Sequence, residues 1–165
     1  MLLSLLANAQ AGKPAAQPDP VLAKKQEAVA LIEKQRAPLI RVSDEIWGYA
    51  ETALREKRSA KTMADYAEQQ GFKVERGVAG MPTAFVASFG EGHPILGILG
   101  EYDALPGISQ KASSTKEPLA AGAPGHGCGH NLLGSASMGA AVAIDRKSTR
   151  LNSSHIQKSR MPSSA

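Results

Sequence analysis

The apolar positions change period along the chain, and each change predicts an element. Asp19 followed by Pro20 reads as an N-cap acid and a first-turn proline. Apolar residues then recur at Leu22, Ala28, Val29 and Ile32 and, after Pro38, at Leu39, Ile40, Val42, Ile46 and Trp47. This predicts one long kinked helix or two consecutive ones. Ser59 opens a further helix, with Ala60, Met63, Ala64 and Ala67 at the spacing of a buried face, and Gly71 is placed to end it. The period then shortens. "FKVERGV" alternates in part, and "TAFVASFG" is strand-like between Pro82 and Gly90. "HPILGILG" is a continuous apolar run of the kind that forms a buried central strand. After Asn131, "LLGSASMGAAVAI" is small and apolar on most sides, which predicts a helix against a sheet, with Gly134 and Gly139 permitting close approach. The order helix, helix, three strands, loop, helix is an α/β start without internal repeats.

Two stretches carry chemistry. "EYDALPG" places Glu101 and Asp103 just past the carboxyl end of the third predicted strand, where open α/β sheets take ligands. "GHGCGH", at residues 125–130, follows a polar loop and contains the single cysteine of the chain. In an extended stretch residues i and i+2 share a side, so Cys128 and His130 can aim a sulfur and an imidazole at one point. Gly127 and Gly129 keep that point uncrowded. Thiolate and imidazole suit zinc and neighbouring divalent metals, and a helix starting near Asn131 favours the thiolate. Asp103 or Glu101 can approach as a bridging ligand or as a carboxylate that orients an imidazole. By residue pattern alone three readings remain open: an inert glycine turn, a metal site, and a Cys128 nucleophile paired with His126 or His130. The glycines do not form the G-x-G-x-x-G pattern of a dinucleotide site, and His93, ahead of Pro94, reads as a solvated loop residue.

Composition narrows the class and isolates the two ends. The chain of 165 residues is long enough for one core, and 42% hydrophobic with 21% charged residues is ordinary for a globular domain. One cysteine excludes an internal disulfide framework, and no apolar run reaches the length of a membrane-spanning helix. The formal charge of +4 comes from residues 145–165, where Arg146, Lys147, Arg150, Lys158 and Arg160 stand against Asp145. The remainder is neutral and poor in aromatics, which argues against nucleic acid as a partner. Residues 1–19 read as a truncated signal peptide and linker: a short apolar run, an A-x-A site at residues 7–9, then a Pro/Ala/Gln-rich stretch. That predicts a periplasmic or secreted protein, and otherwise a cytoplasmic one. Residues 145–165 have neither apolar period nor turn logic. DNA encoding residues 145–155, and again 159–165, resembles a sequencing-library adapter, so this segment, which includes His155, is read as non-native and disordered. Residues 20–144 are the domain proper.

"GEYDALPGISQ" together with "GHGCGHNLLGSASMGAAVA" resembles the metal-dependent amidohydrolases of the aminoacylase/carboxypeptidase superfamily, in its aminobenzoyl-glutamate utilisation protein B-like branch. The stretch from "WGYAETALREK" to "FVASFG" is similar to the same branch, so the resemblance spans nearly all of residues 40–144. It implies the N-terminal part of a zinc-peptidase-like catalytic domain, helices packed on a mixed sheet, in truncated form. It further implies cleavage of the amide bond of a small N-acyl amino acid, or of a short peptide, by a metal-activated water. Cys128 and His130 match the family's metal ligands, Asp103 its catalytic-site acid, and His126 the histidine that opens the motif. Glu101 stands where many members carry a ligand histidine, and Asn131 where many carry an acid. The implied metal is zinc or manganese, with cobalt and nickel also compatible, and the implied assembly is a homodimer. The family's catalytic Glu-Glu pair is not in this sequence, so the 165 residues alone are expected to be inactive. A non-catalytic binding module of the same fold is the reading from outside enzymology.

Overall fold

The structure is a computed structural model and describes residues 19–158, with side chains through Ile144. The expected signal segment and the end of the adapter-like tail lie outside the described residues. Helix α1 (Pro20–Lys34) starts as the sequence predicts: the Asp19 carboxylate accepts from Val21 N at 2.9 Å, and Pro20 takes the first turn. Its apolar side is only partly used. Leu31 is buried, whereas Leu22, Val29 and Ile32 stay exposed.

The alternative of two helices is the one realised. α1 ends at Gln35 and α2 (Arg36–Tyr49) follows at once. Pro38 lies in the first turn of α2; its ring disfavours a helical carbonyl four residues earlier, at Lys34, which puts the break there. α2 ends at Ala50 in the left-handed region, at φ 45°.

α3 (Lys57–Gln69) begins two residues before the predicted Ser59. Its first turn is capped from outside: the Glu51 carboxylate accepts from Arg58 N at 3.1 Å, and from Ser59 N and Ser59 Oγ at 2.9 Å each. Met63, Ala64 and Ala67 are buried as their spacing predicts, and Gly71, at φ +92°, turns the chain out of the helix.

β1 (Lys73–Arg76) and β2 (Phe85–Ser88) pair antiparallel, Lys73 opposite Ser88 and Arg76 opposite Phe85. The third predicted strand is not formed. Residues 93–100 join no sheet, and Ile95, Leu96 and Leu99 are 78%, 69% and 82% exposed. A central strand exists only through backbone partners on both edges, and no described segment supplies them. The α/β class therefore holds with a two-stranded antiparallel sheet rather than a mixed one among the described residues.

α4 (His130–Lys158) begins where predicted and runs on through Ile144, so the backbone marks no boundary there. It packs on α2 and α1 rather than on the sheet. The core is Val42 and Ile46 of α2, Met63 and Tyr66 of α3 and Val142 of α4, flanked by Leu39, Phe72, Phe85, Tyr102 and Met138. Among the described residues no helix is long and apolar enough to cross a membrane.

The glycines of α4 set its approach to the chain. A Cβ at Gly134 would sit 2.6 Å from the Glu101 carbonyl oxygen and 3.0 Å from Met63 Cε. Gly134→Ala is therefore expected to destabilise the fold by about 1–3 kcal/mol through backbone displacement, read as a lower urea midpoint; an unchanged midpoint would show that the helix yields freely. On the opposite side of α3, Arg76 bridges Asp65, at 2.8 Å, and Glu68. The bond from Lys61, then its charge and that of Arg76, hold the Asp65 carboxyl below its ordinary value, while the bond from Arg76 does the same for Glu68. Carboxylates held low stabilise the fold above their ordinary pKa and lose that contribution as acid titrates them. Arg76→Ala should thus cost a small amount of stability at neutral pH, and the difference from the parent should close on acidification below about pH 4. A difference that grows with acid would contradict the assignment.

Candidate functional site

The two motif-bearing stretches meet through backbone pairing. Leu105 N donates to Gly125 O at 2.9 Å, and Gly125 N donates back to Leu105 O at 3.0 Å. One residue earlier, Ala104 N donates to Glu51 O at 2.7 Å. "EYDALPG" is thereby held between the α2–α3 connection and the "GHGCGH" loop. Gly125 is required for this approach, since a Cβ there would lie 2.5 Å from the Ile108 carbonyl oxygen.

Alternation along residues 101–103 sorts the side chains. Tyr102 turns inward, donates to the Thr83 carbonyl and stacks on Phe85 with ring centroids 6.1 Å apart. Burial, and then the charge of Glu56, pushes its hydroxyl up to about 12. Glu101 and Asp103 turn to the other side and meet His130, the first residue of α4. His130 Nδ1 lies 2.7 Å from Asp103 Oδ1, and Nε2 lies 3.0 Å from Glu101 Oε2. The ring is 19% exposed, with Asp103 at 25% and Glu101 at 47%. A ring with a carboxylate on each nitrogen has two chemical options. It carries both protons, or it shares a cation with the carboxylate on one side while the other orients it.

Cys128 stands apart from this cluster. Residues 128–130 are not extended: Gly129 adopts φ +78°, and its N–H returns to the His126 carbonyl at 2.9 Å. The same-side argument for Cys128 and His130 therefore fails, because a turn replaces the strand it assumed. The thiol is exposed, and among the described residues no three His, Cys, Asp and Glu side chains converge on one point. Sulfur, nitrogen and oxygen donors of the right chemistry are thus present on two adjacent loops, in an arrangement that supplies part of a coordination sphere.

His126 is tied to α2. Its Nε2 lies 3.0 Å from the Ile46 carbonyl oxygen, so Nε2 carries the proton and donates. Nδ1 is buried without a hydrogen-bond partner. Burial lowers the ring's affinity for a second proton, against the opposing effect of the Ile46 bond. Asn131, which in the sequence marks only a departure from the family pattern, is 6% exposed and donates through Nδ2 to Ser43 Oγ at 3.0 Å. The sequence signal for it is a lone amide opening an otherwise small, apolar helix. His93 takes no part in the cluster.

A four-helix, two-strand α/β assembly with a histidine held between two loop carboxylates fits part of a peptidase-like domain. No protein-family model matches the chain. Over 116 residues, 70% of its length, the chain is 46% identical to one of the subunits of the p-aminobenzoyl-glutamate hydrolase of Escherichia coli (strain K12). The chain is therefore related to the aminobenzoyl-glutamate utilisation protein B-like branch that its sequence blocks resemble. It spans 24% of the length of that relative.

The Ser43–Asn131 bond is buried on both sides. Asn131→Ala and Ser43→Ala should each cost about 1–3 kcal/mol by leaving a buried partner unpaired. The double variant should cost clearly less than the sum, as measured by denaturation; strict additivity would show that the two groups do not act as a pair.

Proposed function

We propose that these residues form part of a metal-dependent amidohydrolase that cleaves the amide of a small N-acyl amino acid, with aminobenzoyl-glutamate the leading substrate and short peptides next. The observation that carries the reading is His130 held by Asp103 and Glu101, in a region with high identity to a hydrolase subunit whose name states that substrate. Cys128 and His130 would hold the cation, zinc or manganese by donor chemistry, with cobalt and nickel also compatible. When bound, the cation polarises the scissile carbonyl and makes water nucleophilic at neutral pH. Asp103 acts through His130: its carboxylate on Nδ1 fixes ring rotation and directs Nε2 outward toward Glu101. Gly127 leaves the loop free of side-chain bulk where a substrate must pass. The general base is the glutamate of a Glu-Glu pair that this sequence does not contain, so the 165 residues alone are inactive. The A-x-A segment supports export to the periplasm. The relative is one subunit of a hydrolase, which supports assembly with a further subunit, a second copy of the same chain being the expected one.

The cysteine-hydrolase reading finds no support in the geometry. A nucleophilic Cys128 needs an imidazole as base, yet His130 has a carboxylate on each nitrogen and His126 spends Nε2 on Ile46.

The test uses the product of the uninterrupted gene with aminobenzoyl-glutamate as substrate. A chelator should abolish hydrolysis, and zinc or manganese should restore it. Asp103→Asn should reduce kcat/KM by about 10–100-fold. Activity that survives chelation but not thiol alkylation would overturn the metal reading in favour of a cysteine nucleophile.

A further inference from the structure

We infer that His126 is a positioning residue, a strut that sets the loop bearing Cys128 and His130 against the end of α2. The inference rests on the metal reading above and extends it to a residue outside the proposed ligand set. Three contacts fix His126. Its Nε2–H donates to the Ile46 carbonyl at 3.0 Å. Its own carbonyl accepts from Gly129 N at 2.9 Å, closing the turn that contains Cys128. The residue before it, Gly125, is paired in both directions with Leu105.

The acceptor is well chosen. Ile46 is fully buried and lies in the last turn of α2, where carbonyls are short of partners and the helix end attracts donors. That same carbonyl also receives Ala50 N at 3.1 Å, so the helix terminus and the site loop share one oxygen. Ser43, three residues earlier on α2, holds Asn131. Residues 126 and 131 therefore bracket Cys128 and His130, and both are anchored to neighbouring turns of one helix face. Displacing either anchor moves the turn relative to Asp103 and Glu101, which belong to a different segment.

The role depends on which nitrogen is used. The donor sits at the far end of the ring, at a reach that a glutamine amide reproduces and an asparagine amide does not. The experiment titrates cobalt into the metal-depleted product of the uninterrupted gene and reads the thiolate-to-cobalt absorption band, independently of turnover. His126→Gln should bind cobalt within about threefold of the parent. His126→Asn should bind about 10–100-fold more weakly, with a weakened or shifted thiolate band.

Parent-like cobalt binding by His126→Asn would overturn the strut. So would a Gln variant as weak as the Asn variant, which would assign the effect to Nδ1 of the ring itself. If His126→Asn does not fold, the Gln variant decides alone: tight binding supports the strut and weak binding overturns it. A parent protein that binds no cobalt removes the metal reading and the strut with it, whereas a parent that binds normally with an inverted Gln/Asn order removes the strut only.

Discussion

The site depends on the reciprocal backbone pair between Leu105 and Gly125. Two hydrogen bonds join segments that are otherwise loops, and they do so only because Gly125 has no side chain to meet the Ile108 carbonyl. With that pair closed, the alternation of residues 101–103 does the sorting. Tyr102 goes into the core against Phe85, and Glu101 and Asp103 go to the His130 ring. Without it, two polar loops would have no reason to keep a common register, since the ion pairs they carry are partly exposed and individually weak.

The second support is α2. One face of this helix supplies Val42 and Ile46 to the core, and the neighbouring turns present Ser43 and the Ile46 carbonyl to the site loop. Burial of the apolar side fixes the helix, and the fixed helix then offers polar groups at set heights. The same economy appears where α4 crosses the chain: Gly134 allows the helix to rest on the Glu101 backbone, so the residue bearing one site carboxylate is held from behind by the helix that carries the site histidine.

Much of this was legible in the residues. Asp19 and Pro20 predict the start of α1, the spacing of Met63, Ala64 and Ala67 predicts the buried face of α3, and the small residues after Asn131 predict α4. Each rests on interactions within a few positions of the chain. The two motif blocks were likewise visible, and with them the relation to a hydrolase subunit. The central strand at residues 93–100 was not realised, because an apolar run states what a segment would bury but not whether partner strands are there to bury it. Cys128 was expected beside His130 on an extended chain. The positive φ of Gly129 places the two in a turn instead, a choice that glycine permits and sequence pattern cannot decide.

The sequence by itself determined the helices, the position of the glycine-rich turn and the inventory of donors, since capping, period and chemistry are local properties. Only the tertiary structure decided who meets whom. His130 faces Asp103 and Glu101 rather than Cys128, His126 turns back to Ile46, and Asn131, unremarked in the sequence as a structural residue, finds Ser43. Those pairings join residues far apart along the chain, and their geometry follows from how the Leu105–Gly125 pair and α2 bring the segments together, which no local pattern encodes.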